Sequence, residues 1–117
     1  MSAELKKLQQ QFDAFAKERD WEQFHSPKNL STALLVEAAE LAEHFQWLTE
    51  AQSYALEADK KQAVALEMAD VFLYLLRLAD RLDVDLIASA AEKMQLNAIK
   101  YPADKVRGSA KKYNEYD

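Results

Sequence analysis

The chain has 117 residues, a net charge of −5 and no cysteine. That length accommodates one domain with a core of its own. The acidic balance disfavours long nucleic acid as a partner, and the lack of cysteine excludes a disulfide scaffold and thiol chemistry and fits a cytoplasmic location.

Half of the residues are hydrophobic, yet there is one Gly and there are two Pro. That is too few for the frequent turns of a sheet protein, so the expected class is all-α. A few long helices joined by short loops would form a single four-helix-bundle-like domain over residues 1–117. No repeat or secretory signal stands out, and no apolar run reaches transmembrane length without a charge, so no membrane partner is expected.

Residues 3–18 place Leu5, Leu8, Phe12, Phe15 and Ala16 at helical spacing, with charged and amide residues on the other face, which predicts a packing helix. The pattern breaks at Ser26-Pro27, because proline disfavours helix in the residue before it. The intervening segment concentrates Trp21, Phe24 and His25 with Arg19, Lys28 and Asn29. Mixed aromatic and polar loops of this kind serve as substrate walls; a hydrophobic plug over the helix ends and a structural His25 are the plainer alternatives.

A second helix is expected from Leu30 or Ser31 past Glu40 towards Trp47, which could close one end of a pocket. His44 shares a stripe with Glu40 and is read either as a reach toward the acids or as a solvated histidine. A polar connection over residues 49–61 contains a helical piece around 51–58. The third helix spans residues 63–77, with Tyr74 one turn beyond Asp70, and residues 77–83 read as a charged, solvent-exposed end. Asp83 or Asp85 would cap a fourth helix, with Ile87, Ala91, Met94 and Ala98 at core spacing until Pro102 stops it. Residues 105–117, with Tyr113 and Tyr116, read as a C-terminal arm.

Two of these helices carry their acids in an unusual way. Glu37 and Glu40 lie within a run of Leu, Val and Ala, and so do Glu67 and Asp70. The i, i+3 spacing sets each pair on one helix face with Cβ atoms roughly 5–6 Å apart, whereas an ordinary amphipathic helix keeps its acids opposite the apolar stripe. A buried unpaired carboxylate costs several kcal/mol or takes up a proton. No Lys or Arg lies between Leu30 and Asp59, or between Ala63 and Leu76, so neither pair has a cationic partner on its own helix. Four converging carboxylates suit a hard divalent cation, Mg²⁺ or Mn²⁺. Solvated acids, or acids paired with cations from elsewhere, are the alternative. Both helices are apolar nearly all round, which a small domain cannot bury alone, so a homo-oligomer (a dimer or a dimer of dimers) is expected.

In order, RDWEQFHSPKNL, the ExxEL of Glu37–Leu41 with Trp47 after it, the ExxDV of Glu67–Val71 with Tyr74-Leu75, and KMxxNxxKYP from Lys93 resemble the all-α nucleoside triphosphate pyrophosphohydrolases. Within that superfamily the chain is most similar to the MazG-like and dCTP pyrophosphatase branch, from about Leu5 to Tyr116. Two positions depart: Ala39 stands where relatives often have Gly, and Val36 where the broader pattern has a second consecutive acid. The principal four acids are intact.

The resemblance implies hydrolysis of a (deoxy)nucleoside triphosphate, dCTP or dATP first, to monophosphate and pyrophosphate, with nucleotide-pool sanitation or balance as the role. It implies Mg²⁺ held by Glu37, Glu40, Glu67 and Asp70. Lys93 would contact phosphate, and Tyr74, Asn97 and Tyr101 phosphate or sugar. Trp21, His25 and Trp47 would form the base pocket. Two rivals are a di-iron carboxylate bundle, which uses Glu-x-x-His pairs that neither acidic pair here supplies, and a non-enzymatic helical interaction module whose acids pair across an interface.

Overall fold

The computed structural model describes residues 2–109, so Tyr113 and Tyr116 of the expected arm lie outside the described residues. The described chain forms two compact units, residues 2–84 and residues 85–109. Every described element is helical, in keeping with the all-α expectation, and no described helix is long and apolar enough to cross a membrane.

In the first unit, helix α1 (Ala3–Glu18) begins at Ser2, whose side chain accepts from the Leu5 backbone N–H and so satisfies one of the free amides of the first turn. It ends at Arg19, followed by Asp20 at φ 54°. This left-handed residue turns the chain so that Trp21 N–H donates to the Ala16 carbonyl at 2.8 Å. A 3₁₀ turn over Glu22–Phe24 leads to α2 (Pro27–Glu43).

Here the expected start moves. Pro27 opens the helix because its fixed φ and missing N–H suit the first helical position, and Ser26 caps it, accepting from Asn29 N–H at 3.1 Å. The chain leaves the helix at His44, and residues 44–47 form turns instead of carrying it on to Trp47. A short α3 (Glu50–Ser53) follows, fixed by a reciprocal pair of bonds between Thr49 and Gln52 at 3.1 and 2.9 Å.

The long α4 (Ala58–Leu82) has 25 residues, about 37 Å at the usual rise. It packs along α2 and against α1. The buried residues Ala16, Leu30, Val64, Leu76 and Ala79 come from these three helices. The expectation of a solvent-exposed end over residues 77–83 is corrected: Arg77 and Ala79 are buried and helical. The reason is long-range pairing. Arg77 Nη1 donates to Asp13 Oδ1 on α1 at 2.9 Å, and its Nε donates to His25 Nδ1 at 3.3 Å. Asp83, left-handed at φ 54°, ends the helix.

The second unit holds α5 (Leu86–Lys100), capped by Asp85, which accepts from Ala88 N–H at 3.1 Å, and a four-residue α6 (Ala103–Val106) after Pro102. The core spacing of Ile87 and Met94 does not translate into burial. No residue of α5 is buried, and both side chains are exposed.

Candidate functional site

The long contact between α2 and α4 brings the two acidic pairs face to face. One carboxylate oxygen from each of Glu37, Glu67 and Asp70 lies within 4.8 Å of the others. Glu40 lies near enough to both Glu37 and Glu67 for its carboxyl to act on each of them. Oε2 of Glu37 and Oε2 of Glu67 are buried and have no hydrogen-bond partner, so the water these two oxygens give up is not replaced within the described chain. Among the described residues none of the four acids forms an ion pair.

The electrostatics follow from that crowding. Burial, the hydrogen bond with Glu40 and the charges of Glu40, Asp70 and Glu67 push the Glu37 carboxyl up to about 7. Glu67 is raised as well, first by burial and then by Glu40 and Asp70, with a smaller opposing pull from His44. Carboxyls crowded to within 4.8 Å of one another are relieved by taking up a proton or by binding a cation. The donors are all hard oxygens, and two of them are buried without partners, so the residues fit a divalent cation such as Mg²⁺ or Mn²⁺.

Beside the acids opens a cavity of about 400 Å³. Leu8, Gln11, Phe12 and Phe15 of α1 form one wall, Asp70, Leu73 and Tyr74 of α4 another, and Trp21 of the loop a third. The rings meet edge to face: Phe12 with Tyr74 at 5.9 Å, Phe12 with Phe15 at 6.2 Å and Phe15 with Trp21 at 5.6 Å between centroids. This is the favoured arrangement of aromatic quadrupoles, and it leaves flat apolar surface around the space. Burial and the charges of Glu37 and Asp70 raise the Tyr74 phenol, so it keeps its proton.

The other expected site residues fall in three places. His25 is buried behind this wall and is not among the residues lining the cavity. Its ring stands edge-on to Phe12 at 5.7 Å and to Trp21 at 6.2 Å, and its Nδ1 accepts from Arg77, so the proton of the neutral ring sits on Nε2. Burial and the charges of Arg77 and Arg81 hold its pKa below the ordinary value. Trp47 is 87% exposed in the turn after α2 and does not line the cavity. Lys93, Asn97 and Tyr101 belong to the second unit, at i, i+4 and i+8 along one stripe of α5 and its cap.

Sequence reasoning treats α1 as packing alone and therefore misses Gln11, Phe12 and Phe15 as cavity residues. Aromatic residues at helical spacing look the same whether they face a core or a cavity. The one available signal is Gln11, an amide between Leu8 and Phe15 on the face they share.

Residues 33–116 match the model of the MazG-like family. Among curated proteins, human dCTP pyrophosphatase 1 is 47% identical over 103 residues, which cover 86% of this chain and 61% of the human protein. The mouse protein of the same name is 48% identical over the same length. The chain thus spans 61% of the length of these curated relatives. Among solved structures, a pyrophosphatase from Archaeoglobus fulgidus superposes with a TM-score of 0.80 at 34% identity, covering 87% of this chain and 95% of the other.

Proposed function

This chain belongs to the MazG-like family, and we propose that it hydrolyses a (deoxy)nucleoside triphosphate to the monophosphate and pyrophosphate, with dCTP first and dATP second as substrate. The observation that carries this reading is the approach of Glu37, Glu67 and Asp70 oxygens to within 4.8 Å of one another, two of those acids having a buried oxygen without a partner. Resemblance to proteins named as dCTP pyrophosphatases supports the substrate class.

Glu37, Glu67 and Asp70, with Glu40 beside them, would hold Mg²⁺, or Mn²⁺ in its place. When bound, the cation offsets the charge of the triphosphate and polarises its phosphorus centres. The chain's own residues do the rest by positioning. The aromatic walls of the cavity, Phe12, Phe15, Trp21 and Tyr74, receive the flat base. His25 serves that wall from behind, holding Phe12 and Trp21 while Arg77 holds it. Trp47 offers an outer stacking surface. The Tyr74 hydroxyl, kept protonated, donates toward phosphate or sugar next to the acids; for Lys93, Asn97 and Tyr101 the family resemblance alone supports a role as phosphate or sugar contacts. Water adds to the α-phosphorus and one of the four carboxylates takes its proton. The bond from that phosphorus to the α–β bridging oxygen breaks, and pyrophosphate departs with the electron pair. The active form is an oligomer of this chain.

The test is pyrophosphate release from a panel of deoxy- and ribonucleoside triphosphates, with Mg²⁺ and with chelator. Metal-dependent pyrophosphate with equimolar monophosphate is the expected result. A folded protein that is silent on the whole panel would return the acids to a purely structural role.

A further inference from the structure

We propose that Gln11 reads the base: its side-chain amide pairs with the hydrogen-bonding edge of the nucleobase in the aromatic cavity. The inference rests on the nucleotide reading above and names a residue that selects the base.

Four of the side chains around the cavity carry polar atoms: Gln11, Trp21, Asp70 and Tyr74. Asp70 belongs to the acidic cluster, with an oxygen within 4.8 Å of those of Glu37 and Glu67. Tyr74 follows Asp70 one helical turn later on α4 and lines the cavity beside it. Both therefore sit at the phosphate end. The Trp21 indole is a donor only. Gln11 alone presents a donor and an acceptor side by side in one planar amide, and it lines the cavity from α1, on the apolar face shared by Leu8 and Phe15.

Its amide is also uncommitted. Gln9 donates to the Leu76 carbonyl and Gln23 to Asp20, whereas among the described residues the Gln11 amide has no hydrogen-bond partner. A free amide in an otherwise apolar wall is placed to satisfy a ligand that brings its own donor and acceptor side by side. Cytosine does so at N4 and N3, and adenine at N6 and N1; glutamine forms a two-bond pair of this kind with adenine in nucleic-acid recognition.

Two substitutions on this exposed helical position test the inference without disturbing the core: Gln11→Leu, which removes both bonds, and Gln11→Glu, which offers two acceptors. The ranking of kcat/KM across the four common deoxynucleoside triphosphates is the readout, with Mn²⁺-induced thermal shift as a control for the acids. Gln11→Leu is expected to lower kcat/KM for the preferred base roughly tenfold and to flatten the ranking, with the Mn²⁺ shift unchanged. Gln11→Glu is expected to move the ranking toward guanine, whose N1–H and N2–H₂ present two donors. An active wild type whose ranking is unchanged in both variants overturns the role of Gln11 alone. A wild type that releases no pyrophosphate from any nucleotide overturns the nucleotide reading, and this inference with it.

Discussion

Glu37 shows most clearly how a single residue is placed against its own charge. Burial and the carboxylates of Glu40, Asp70 and Glu67 all favour its protonated form and push it up to about 7 from an ordinary value of 4.5. The consequence for stability has a definite sign. Between those two pH values the metal-free native state holds more protons than the unfolded chain, so stability falls as pH rises through this window and levels off above it. Glu37→Gln removes the ionisation while keeping the shape. In chelator the variant is expected to be more stable than wild type at pH 8, with the advantage gone by pH 4.5, as read from denaturant melts at the two pH values. The same substitution removes a proposed cation ligand and should abolish metal-dependent pyrophosphate release. Equal melts at pH 8 would mean that the charge is already compensated within the chain. The convergence of the acids was readable from sequence because their oddity is local: i, i+3 acids in apolar runs without a cation single out a candidate site before any partner helix is known.

At the scale of elements, α4 shows where that reading stops. Arg77, Asp80, Arg81 and Asp83 look like the polar end of a helix, and only tertiary contact reveals otherwise. Arg77 is 1% exposed and bonds Asp13, 64 positions earlier, and His25, 52 positions earlier. Arg81 Nε donates to the His25 carbonyl at 3.0 Å. No local pattern encodes pairing at such separations, and for the same reason the cavity face of α1 reads as ordinary packing.

The Arg77–His25 bond requires a neutral ring, because a protonated Nδ1 could not accept. The His25 contribution to stability is therefore complete above its ordinary pKa of 6.5 and is lost as pH falls from there through the depressed native value. The chain has two histidines, so a ring-proton NMR titration resolves them easily. His25 is expected to titrate below 6.5 in wild type and closer to it in Arg77→Met; a wild-type value at or above 6.5 would contradict the arrangement. The end of α4 gives a second prediction. Asp83 holds φ 54° with a Cβ, and a left-handed non-glycine residue costs about 1–2 kcal/mol. Asp83→Gly should recover part of that, about 0.5–1 kcal/mol, seen as a higher denaturant midpoint with unchanged slope.

For the molecule as a whole, the surface of the first unit bears on assembly. Met68, Phe72 and Leu75 form an exposed i, i+4, i+7 stripe on α4, and Leu35, Ala39 and Ala42 form another on α2. These are the helices that carry the acids. Their inner faces meet each other, so their outer faces are what a lone subunit leaves in water. Scattered exposed apolar residues need no explanation, but contiguous stripes at helical spacing mark a surface that another helix covers. A second copy of the chain supplies the same stripes, and a twofold arrangement lets one patch meet itself. Such an interface would brace α2 and α4 from outside and so hold the four carboxylates against their mutual repulsion. Light scattering of wild type is accordingly expected to give at least twice the 13.4 kDa of one chain. Leu35→Lys combined with Met68→Lys, both at exposed positions, should shift the mass toward one chain, keep the helical signal and weaken Mn²⁺-induced stabilisation. A wild type that runs as a single chain would assign the stripes to some other partner. A monomeric double variant with full Mn²⁺ stabilisation would show that the acids are held from within one subunit.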